Sequence, residues 1–575
     1  MTKGWDQIMT RQWIVLLPLV ALTACAPRDS NSAWDAFRDR VIAAAFEARP
    51  DFAVYQGRHE FDGRLPDWSE AGLAARIAYL KAARDTASKF PASNLDSARS
   101  FERDYLLVTM DQELFWTETA DGPHRNPDFY VSYLGPGLSP DVYLTRPYAP
   151  LPERMKAYIT WAKAVPRAAA QIQSNLHPPL ARPLIDIGRI RYGGLASYLT
   201  NDVPKVFAEI KDSALQSAFV EANTAAAKAF ADLDSWLEAQ RPTQTEDFAL
   251  GPEKFSQMLH AMERVDIPLD RLAQVGREDM ARNVAALKEA CAAFAPGQPI
   301  AACIAKVSAR KPVGGAVAGA RLQLDTLEAF VRVKDLLTIP GTERAEVRES
   351  PPYQRSNFAY IDIPGPYEKG LPSIYYIAPP NPAWTKAEQE AYVPGAADLL
   401  FTSVHEVWPG HFAQFLHANR APSIVGRLWV GYAFAEGWAH YSEEMMFDAG
   451  VGGGTPETHI GQLLNALLRN ARYLSAIGLH SGTMTTAQSE TLFREGAFAD
   501  AATARQQAAR GTYDPAYHSY TLGKLMIRKL RNDWTASRGG RAAWKEFHDA
   551  FLEFGGPPVP LVRKAMLGEK GGPAL

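Results

Sequence analysis

The run His405-Glu406-Val407-Trp408-Pro409-Gly410-His411, inside the stretch Ser403 to Phe415, contains the residue types of a zinc hydrolase. Such sites use two neutral imidazoles as ligands and a neighbouring glutamate as general base, and on a regular helix the two histidines stand four residues apart. Here they stand six apart. Six helical steps turn a side chain by roughly 600°, which leaves it about 120° from the first. A straight helix would therefore point His405 and His411 at different neighbours. Pro409 removes a backbone donor and crowds the preceding turn, while Gly410 tolerates backbone angles that other residues resist. Together they can make a bulge that absorbs two residues and returns His411 to His405. The expectation is that the two imidazoles converge, their nitrogens about 3–4 Å apart, as two ligands at about 2.0–2.1 Å from one zinc require. Trp408 would pack to fix the bulge.

A catalytic zinc needs a third protein ligand and an open position for water. Downstream, Glu436, His440 and Glu443 recur at i, i+4 and i+7, on one face of a helix. Two readings of that face stay open on spacing alone. Glu436 is the third ligand, with His440 or Glu443 orienting the histidines, or the face is a solvated, salt-bridged stripe of the kind charged residues usually make.

The run Ser403 to Phe415, followed by Glu436-Gly437-Trp438-Ala439 and Tyr441, resembles the bacterial DUF885 family, whose members carry an HExxPGH motif and a downstream EGWA segment. The order of segments from Pro372 through Lys524 is similar to that family, which itself looks like a helical, gluzincin-type branch of the zinc metallopeptidases. The resemblance implies zinc bound by His405, His411 and Glu436, with Glu406 activating the water. A further match keeps Arg510, Pro515, Tyr520 and Gly523, but places Ala516 and Tyr517 where Gly and Gln are usual. Tyr520 is then a candidate to stabilise the oxyanion, with Tyr517 and His518 as weaker candidates for contacts to substrate. The alternative for Tyr520 is a packed ring with its hydroxyl on a backbone carbonyl.

These residues sit in a chain of 575 residues, 47% hydrophobic and 22% charged, long enough for one large or two intimately packed domains. A formal charge of -3 gives no basic surplus and argues against nucleic acid as the main partner. Lys3 and Arg11 precede the apolar run Trp13 to Leu22, too short for a comfortable transmembrane helix. The run ends in Leu22-Thr23-Ala24-Cys25, which resembles a bacterial lipobox, so residues 1–24 read as a lipoprotein signal, Cys25 as the lipidated residue and 25–33 as its tether. An ordinary secretory signal with an incidental Cys is the other reading. Ala26, rather than Asp, after the Cys favours the outer membrane of a Gram-negative cell. Cys291 and Cys303 flank a Pro- and Gly-containing loop and, in an oxidising periplasm, read as a disulfide.

The elements that must position the motif are mostly helical. Apolar residues follow helical spacing at Trp34 to Ala48, Ser69 to Ser88, Leu95 to Thr117, Leu151 to Leu176, Lys205 to Ala239, Ser256 to Val265 and Leu269 to Phe294. Residues 51–66 and 121–150 read as Pro-, Gly- and aromatic-rich connections. Short β-rich runs, Asn357 to Ile363 and Ser373 to Ile377, lie directly upstream of the motif. They either dock an extended peptide along an edge strand or simply cover the core. The expected fold is mainly α, zincin-like, with a small sheet beside the active-site cleft: a domain over 34–575 with a helical half, 34–350, and a catalytic half, 351–575. The expected function is hydrolysis of amide bonds in peptides by a lipid-anchored zinc enzyme. Rival readings are a zinc hydrolase of cell-wall peptides, acylated amino acids or esters, and a non-catalytic envelope protein with a vestigial site. Oligomeric state is not legible. Arg528 and Lys529 either hold a substrate carboxylate or lie on the surface, and His417 reads as a partly exposed helix histidine.

Overall fold

The computed structural model describes residues 29–351, 354–355, 357–568 and 571–575. The signal segment, Cys25 and the first part of the tether lie outside the described residues. The fold is mainly α with one three-stranded sheet. No described helix is long and apolar enough to cross a membrane.

At the centre is the helix Pro456–His480, hereafter the central helix. Pro456 sits at its first position and the Thr455 hydroxyl accepts the Thr458 N–H, a stop-and-cap arrangement that fixes its start. It is buried on nearly all sides, with apolar residues such as Leu463, Ala471, Leu479 and Ala476 spread round its circumference among buried polar ones such as Gln462 and Asn470. Against it pack the long helix Leu269–Phe294 and the helices that carry the chemistry. A second layer, Leu151–Asn175, Arg182–Asn201 and Ser213–Ala239, builds the N-terminal part. Asp212 caps the last of these by accepting from the Leu215 N–H, so that helix begins eight residues later than the apolar spacing predicts.

The sheet has the order β1 (Ala345–Glu349), β3 (Ser373–Ile377), β2 (Ala359–Asp362). β1 runs parallel to β3, and β2 antiparallel with Tyr360 opposite Tyr376. Every residue of β3 is buried, which accounts for its unbroken apolar and aromatic run. β1 was not legible: Ala-Glu-Val-Arg-Glu is a charged edge strand that buries only Val347. The helix Arg182–Asn201 was masked by Gly188, Gly193 and Gly194, poor helix formers. Gly188 is there for closeness, since a Cβ would lie 2.7 Å from Pro127 and 2.8 Å from Leu237. The helices Ile300–Ser308 and Gly315–Val333 were likewise unassigned, and the 121–150 connection contains the short helices Gly122–Arg125 and Asp141–Thr145.

The two halves on either side of residue 350 share one apolar core, from Ile42 to Val562. Polar bonds cross between them as well. Arg146 pairs with Asp362 at 2.6 Å, and the Tyr105 hydroxyl donates to the Gly556 carbonyl at 2.8 Å. Cys291 and Cys303 are joined as a disulfide that ties the Leu269–Phe294 helix to Ile300–Ser308.

Candidate metal centre

The segment expected to be one bulged helix is two helices, Ala396–Glu406 and His411–Ala418, joined by a tight break with a cis Trp408–Pro409 bond. The hydrogen bonds show how the spacing is absorbed. Gly410 N–H donates to Val404 C=O at 3.0 Å and Ala413 N–H to Val407 C=O at 3.3 Å, each reaching six residues back instead of four. Gln414 N–H to Gly410 C=O, 3.0 Å, restores the regular pattern. Two extra residues are thus looped out and the next turn resumes where a continuous helix would have placed it. Only glycine fits at 410, where an added Cβ would lie 1.8 Å from the His405 carbonyl oxygen. The break is braced from outside. Trp438 Nε1 donates to the Pro409 carbonyl at 2.8 Å, and Trp408 is buried edge-on against Phe412.

The third element is the helix Tyr432–Asp448, which carries the EGWA segment. It brings Glu436 to both histidines, with Oε2 3.1 Å from His405 Nε2 and 3.2 Å from His411 Nε2. Single ligand atoms of the three residues all lie within 4.8 Å of one another. Ligands at about 2.0–2.1 Å from a tetrahedral zinc stand about 3.3 Å apart, so the two distances to Glu436 suit a shared ion. Of the two readings of the Glu436 face, the solvated stripe does not hold, because His440 and Glu443 are fully buried and Glu436 faces the histidines. A second group that could hold a metal, Glu70 with His124 and His177, lies on the surface of the N-terminal half.

Behind the triad, Glu443 holds the histidine in place. Its Oε1 accepts from His405 Nδ1 at 2.7 Å and lies 3.1 Å from Arg469 Nη2, while Oε2 lies 3.3 Å from His440 Nδ1. Donation by Nδ1–H leaves the Nε2 lone pair directed at Glu436 and the metal position, the tautomer a ligand needs. Burial alone would push the Glu443 carboxyl up, but Arg469, His440 and His405 outweigh it and hold it well below the usual carboxylate range. Burial and Lys524 lower His440 to about 3, so it is neutral. Burial likewise opposes ionisation of Glu436, but His411 and His405 keep it charged. Burial raises Glu406 above an ordinary carboxyl despite both histidines.

Tyr520 enters from the helix Ser519–Thr535, which crosses the EGWA helix at a glycine–glycine contact. A Cβ on Gly437 would lie 2.4 Å from Gly523 Cα, and one on Gly523 would lie 2.0 Å from the Ala433 carbonyl. That closeness brings the Tyr520 ring nearly parallel to His405, with centroids 6.0 Å apart. Its hydroxyl takes Arg510 Nη2, at 3.5 Å, rather than a backbone carbonyl. Arg510 is itself held by Asp514 and by the Tyr432 hydroxyl, each at 2.9 Å.

The structure does not bring Tyr517 or His518 to the metal position. Tyr517 turns into the core and donates to Ser475 Oγ at 2.6 Å. His518 Nδ1 bonds the Pro515 carbonyl, and burial lowers the ring to about 4. Arg528 pairs with Glu444 and Asp279, and Lys529 with Asp533, so neither is a free cation for substrate. His417 bonds the Thr338 carbonyl, away from the triad. Sequence reasoning missed Arg469 and Arg472, whose signal is two cations three residues apart in a long helix with no other Lys or Arg.

A cavity of about 600 Å³ opens between the two halves, walled by Tyr55, Arg146, Tyr376 and Trp429 and by the β2 stretch from Tyr360 to Ile363. It reaches the second motif helix at Phe415 and the start of the EGWA helix at Gly431, but His405, His411 and Glu436 are not in its wall. Of the two readings of the short strands, β3 covers the core and β2 borders this cavity.

Fold and centre together define a mainly helical protein with a two-histidine, one-glutamate group that could hold a metal, the histidines buried and Glu436 partly so. The sequence pattern of DUF885, a bacterial protein family of unknown function, matches residues 50–566, and the chain belongs to that family. Two solved structures share the fold. One is a candidate lipoprotein of unknown function from Shewanella oneidensis, 24% identical, covering 93% of this chain and 99% of its own, with a TM-score of 0.75. The other is a candidate lipoprotein from Colwellia psychrerythraea, 17% identical, covering 94% and 98%, with a TM-score of 0.79. No curated protein matches the sequence.

Proposed function

We propose that this protein is a zinc-dependent hydrolase of amide bonds in peptides, anchored to the cell envelope through a lipid on Cys25. The observation that carries the reading is the convergence of His405 and His411 on one Glu436 oxygen, at 3.1 and 3.2 Å, with Glu406 next in sequence to His405. Two imidazoles and a carboxylate, one imidazole fixed by a buried glutamate, are a donor set suited to zinc. Zinc held there would supply an acidified water, pKa near about 7, and a Lewis acid for the scissile carbonyl.

Glu406 accepts the proton of the attacking water and passes it to the leaving amine. Its burial favours a base that keeps the proton long enough to deliver it. Tyr520, with Arg510 at its hydroxyl, donates to the developing oxyanion, a contribution of about 3 kcal/mol for one such donor. Glu443 keeps His405 in the ligand tautomer throughout. The lipid anchor rests on the Cys25 motif and on the two structural relatives described as candidate lipoproteins.

Glu406→Gln tests the chemistry. The variant is expected to bind one zinc per chain and to hydrolyse no peptide, whereas retained hydrolysis in the zinc-loaded variant rejects the role. Palmitate labelling that persists in Cys25→Ser would reject the anchor.

A further inference from the structure

Three arginines surround Tyr520, with guanidinium carbons 4.8 Å (Arg472), 5.8 Å (Arg469) and 5.9 Å (Arg510) from its ring centre. Two of them are neutralised: Arg469 by Glu443 at 3.1 Å and Arg510 by Asp514 at 2.9 Å. Arg472 is not. Among the described residues no carboxylate lies within ion-pair distance of it, and its only polar partner is Gln507, whose Oε1 accepts from Nε at 2.8 Å. A guanidinium buried without a counter-charge is costly, and the cost is recovered when an anion completes it. The bond to Gln507 uses Nε and leaves the two Nη groups, the fork that takes a carboxylate in two parallel bonds, without a protein partner.

Arg472 is exposed to about the same extent as the residues of the metal position. His405, Glu406, His411, Tyr520 and Arg472 are 4%, 7%, 9%, 6% and 6% exposed, each buried but none sealed. Tyr520 touches both sides of this arrangement, 6.0 Å from the His405 ring and 4.8 Å from the Arg472 guanidinium. A peptide advances about 3.3–3.6 Å per residue when extended. At most about 11 Å therefore separates the Arg472 guanidinium from the His405 ring, about three extended residues, so an anion on Arg472 stands within a few residues of a bond under attack at the metal.

We infer that Arg472 receives the free terminal carboxylate of a peptide, so that the enzyme cuts next to the C-terminal end of its substrate. The inference rests on the peptidase reading and narrows it. The neutral Gln507 on one side and unpaired Nη groups on the other suit a ligand that brings its own negative charge. The hydrolysed bond and its water are those already described. What Arg472 adds is selection for a chain end over the middle of a chain.

The test uses zinc-loaded protein carrying Glu406→Gln, titrated calorimetrically with an N-acetylated tripeptide as its free acid and as its C-terminal amide. The acid is expected to bind about 10- to 100-fold more tightly, the worth of one charge-assisted pair. Adding Arg472→Met should bring the acid down to the affinity of the amide and leave the amide unchanged, while Arg472→Lys, which keeps the charge but not the fork, should fall between. Equal affinity for the two peptides, or affinity for neither, overturns the assignment. Equal affinity that rises with sodium chloride hands the site to an inorganic anion and overturns it as well. Wild-type protein separates the two ideas. A preference for the acid in binding, with no zinc-dependent hydrolysis of either peptide, sinks the peptidase reading and leaves the carboxylate site standing.

Discussion

Replacing Glu443 by Gln keeps the side chain's size and removes its charge where three partners depend on it. Arg469 would lose its ion-pair partner, 3.1 Å away, while keeping its bonds to the Asn465 carbonyl and side chain at 2.9 and 2.8 Å. An unpaired buried charge left by removing one partner costs about 3–5 kcal/mol. The retained Asn465 bonds put the expected loss near the lower end, about 3 kcal/mol. Separately, His405 would lose the charged acceptor on Nδ1, and loss of such a partner weakens metal binding about 10- to 100-fold. Urea unfolding of the metal-free protein reads the first effect, and competition with a chelator for zinc reads the second. The double variant Glu443→Gln, Arg469→Met separates them. Removing both charges should recover most of the stability without recovering zinc affinity, because His405 still lacks its acceptor. Metal-free stability within 1 kcal/mol of wild type, together with unchanged zinc affinity in Glu443→Gln, would refute the view that this carboxylate organises the site.

Gly410→Ala pushes a Cβ to 1.8 Å from the His405 carbonyl, so the break must open and bound zinc should fall from one per chain to near none after dialysis. Metal analysis at unchanged helix content checks it. Glu263, which accepts the Ala433 N–H at 3.0 Å, is raised from 4.5 to about 8 by burial, with that N–H pulling the other way. The unfolded chain gives up this proton near pH 4.5 while the folded protein keeps it to about 8, so stability should fall as pH rises across that window, by up to about 1.4 kcal/mol per unit, and level off above it. Glu263→Gln should remove that slope in urea unfolding followed at several pH values. Replacing Cys291 and Cys303 by Ser opens a loop with a sequence separation of 12 and should cost about 3 kcal/mol, read in the same assay.

The candidate ligands are legible because their chemistry is narrow. His, Glu, His and a later Glu in a helical register have few other uses together, and His405, His411 and Glu436 were named from residue type, spacing and family resemblance. The helices around them were legible where apolar residues recur with helical period, as in Leu269–Phe294, and hidden where close packing demands glycine, as in Arg182–Asn201. Arg472 was hidden for another reason. A cation in a helix reads as surface, and only the packing around the central helix shows that Arg472 is buried and that its acid is missing. Tyr517 failed the opposite way. Near a matched motif it looked functional, yet its hydroxyl has a complete partner in Ser475.

The break between the motif helices explains why the six-residue spacing works with glycine and proline and with little else. A helix can take two extra residues without losing register if the donors beyond the insertion reach six positions back, which Gly410 and Ala413 do. The inserted carbonyl must then face something other than the helix, and Pro409's is taken by Trp438 on the EGWA helix, two residues from Glu436 on the same helix. The side chain that satisfies the break thus belongs to the element that delivers Glu436 to the histidines. Trp438 and Glu436 move together, so a shift of the EGWA helix that withdrew Glu436 would also strand the Pro409 carbonyl. Trp438→Phe, which keeps the ring and removes the donor, should therefore weaken zinc binding, although residue 438 touches no metal. An orphaned buried carbonyl costs about 1–3 kcal/mol. Zinc affinity in Trp438→Phe equal to wild type by chelator competition would show that the break and the third ligand are set independently.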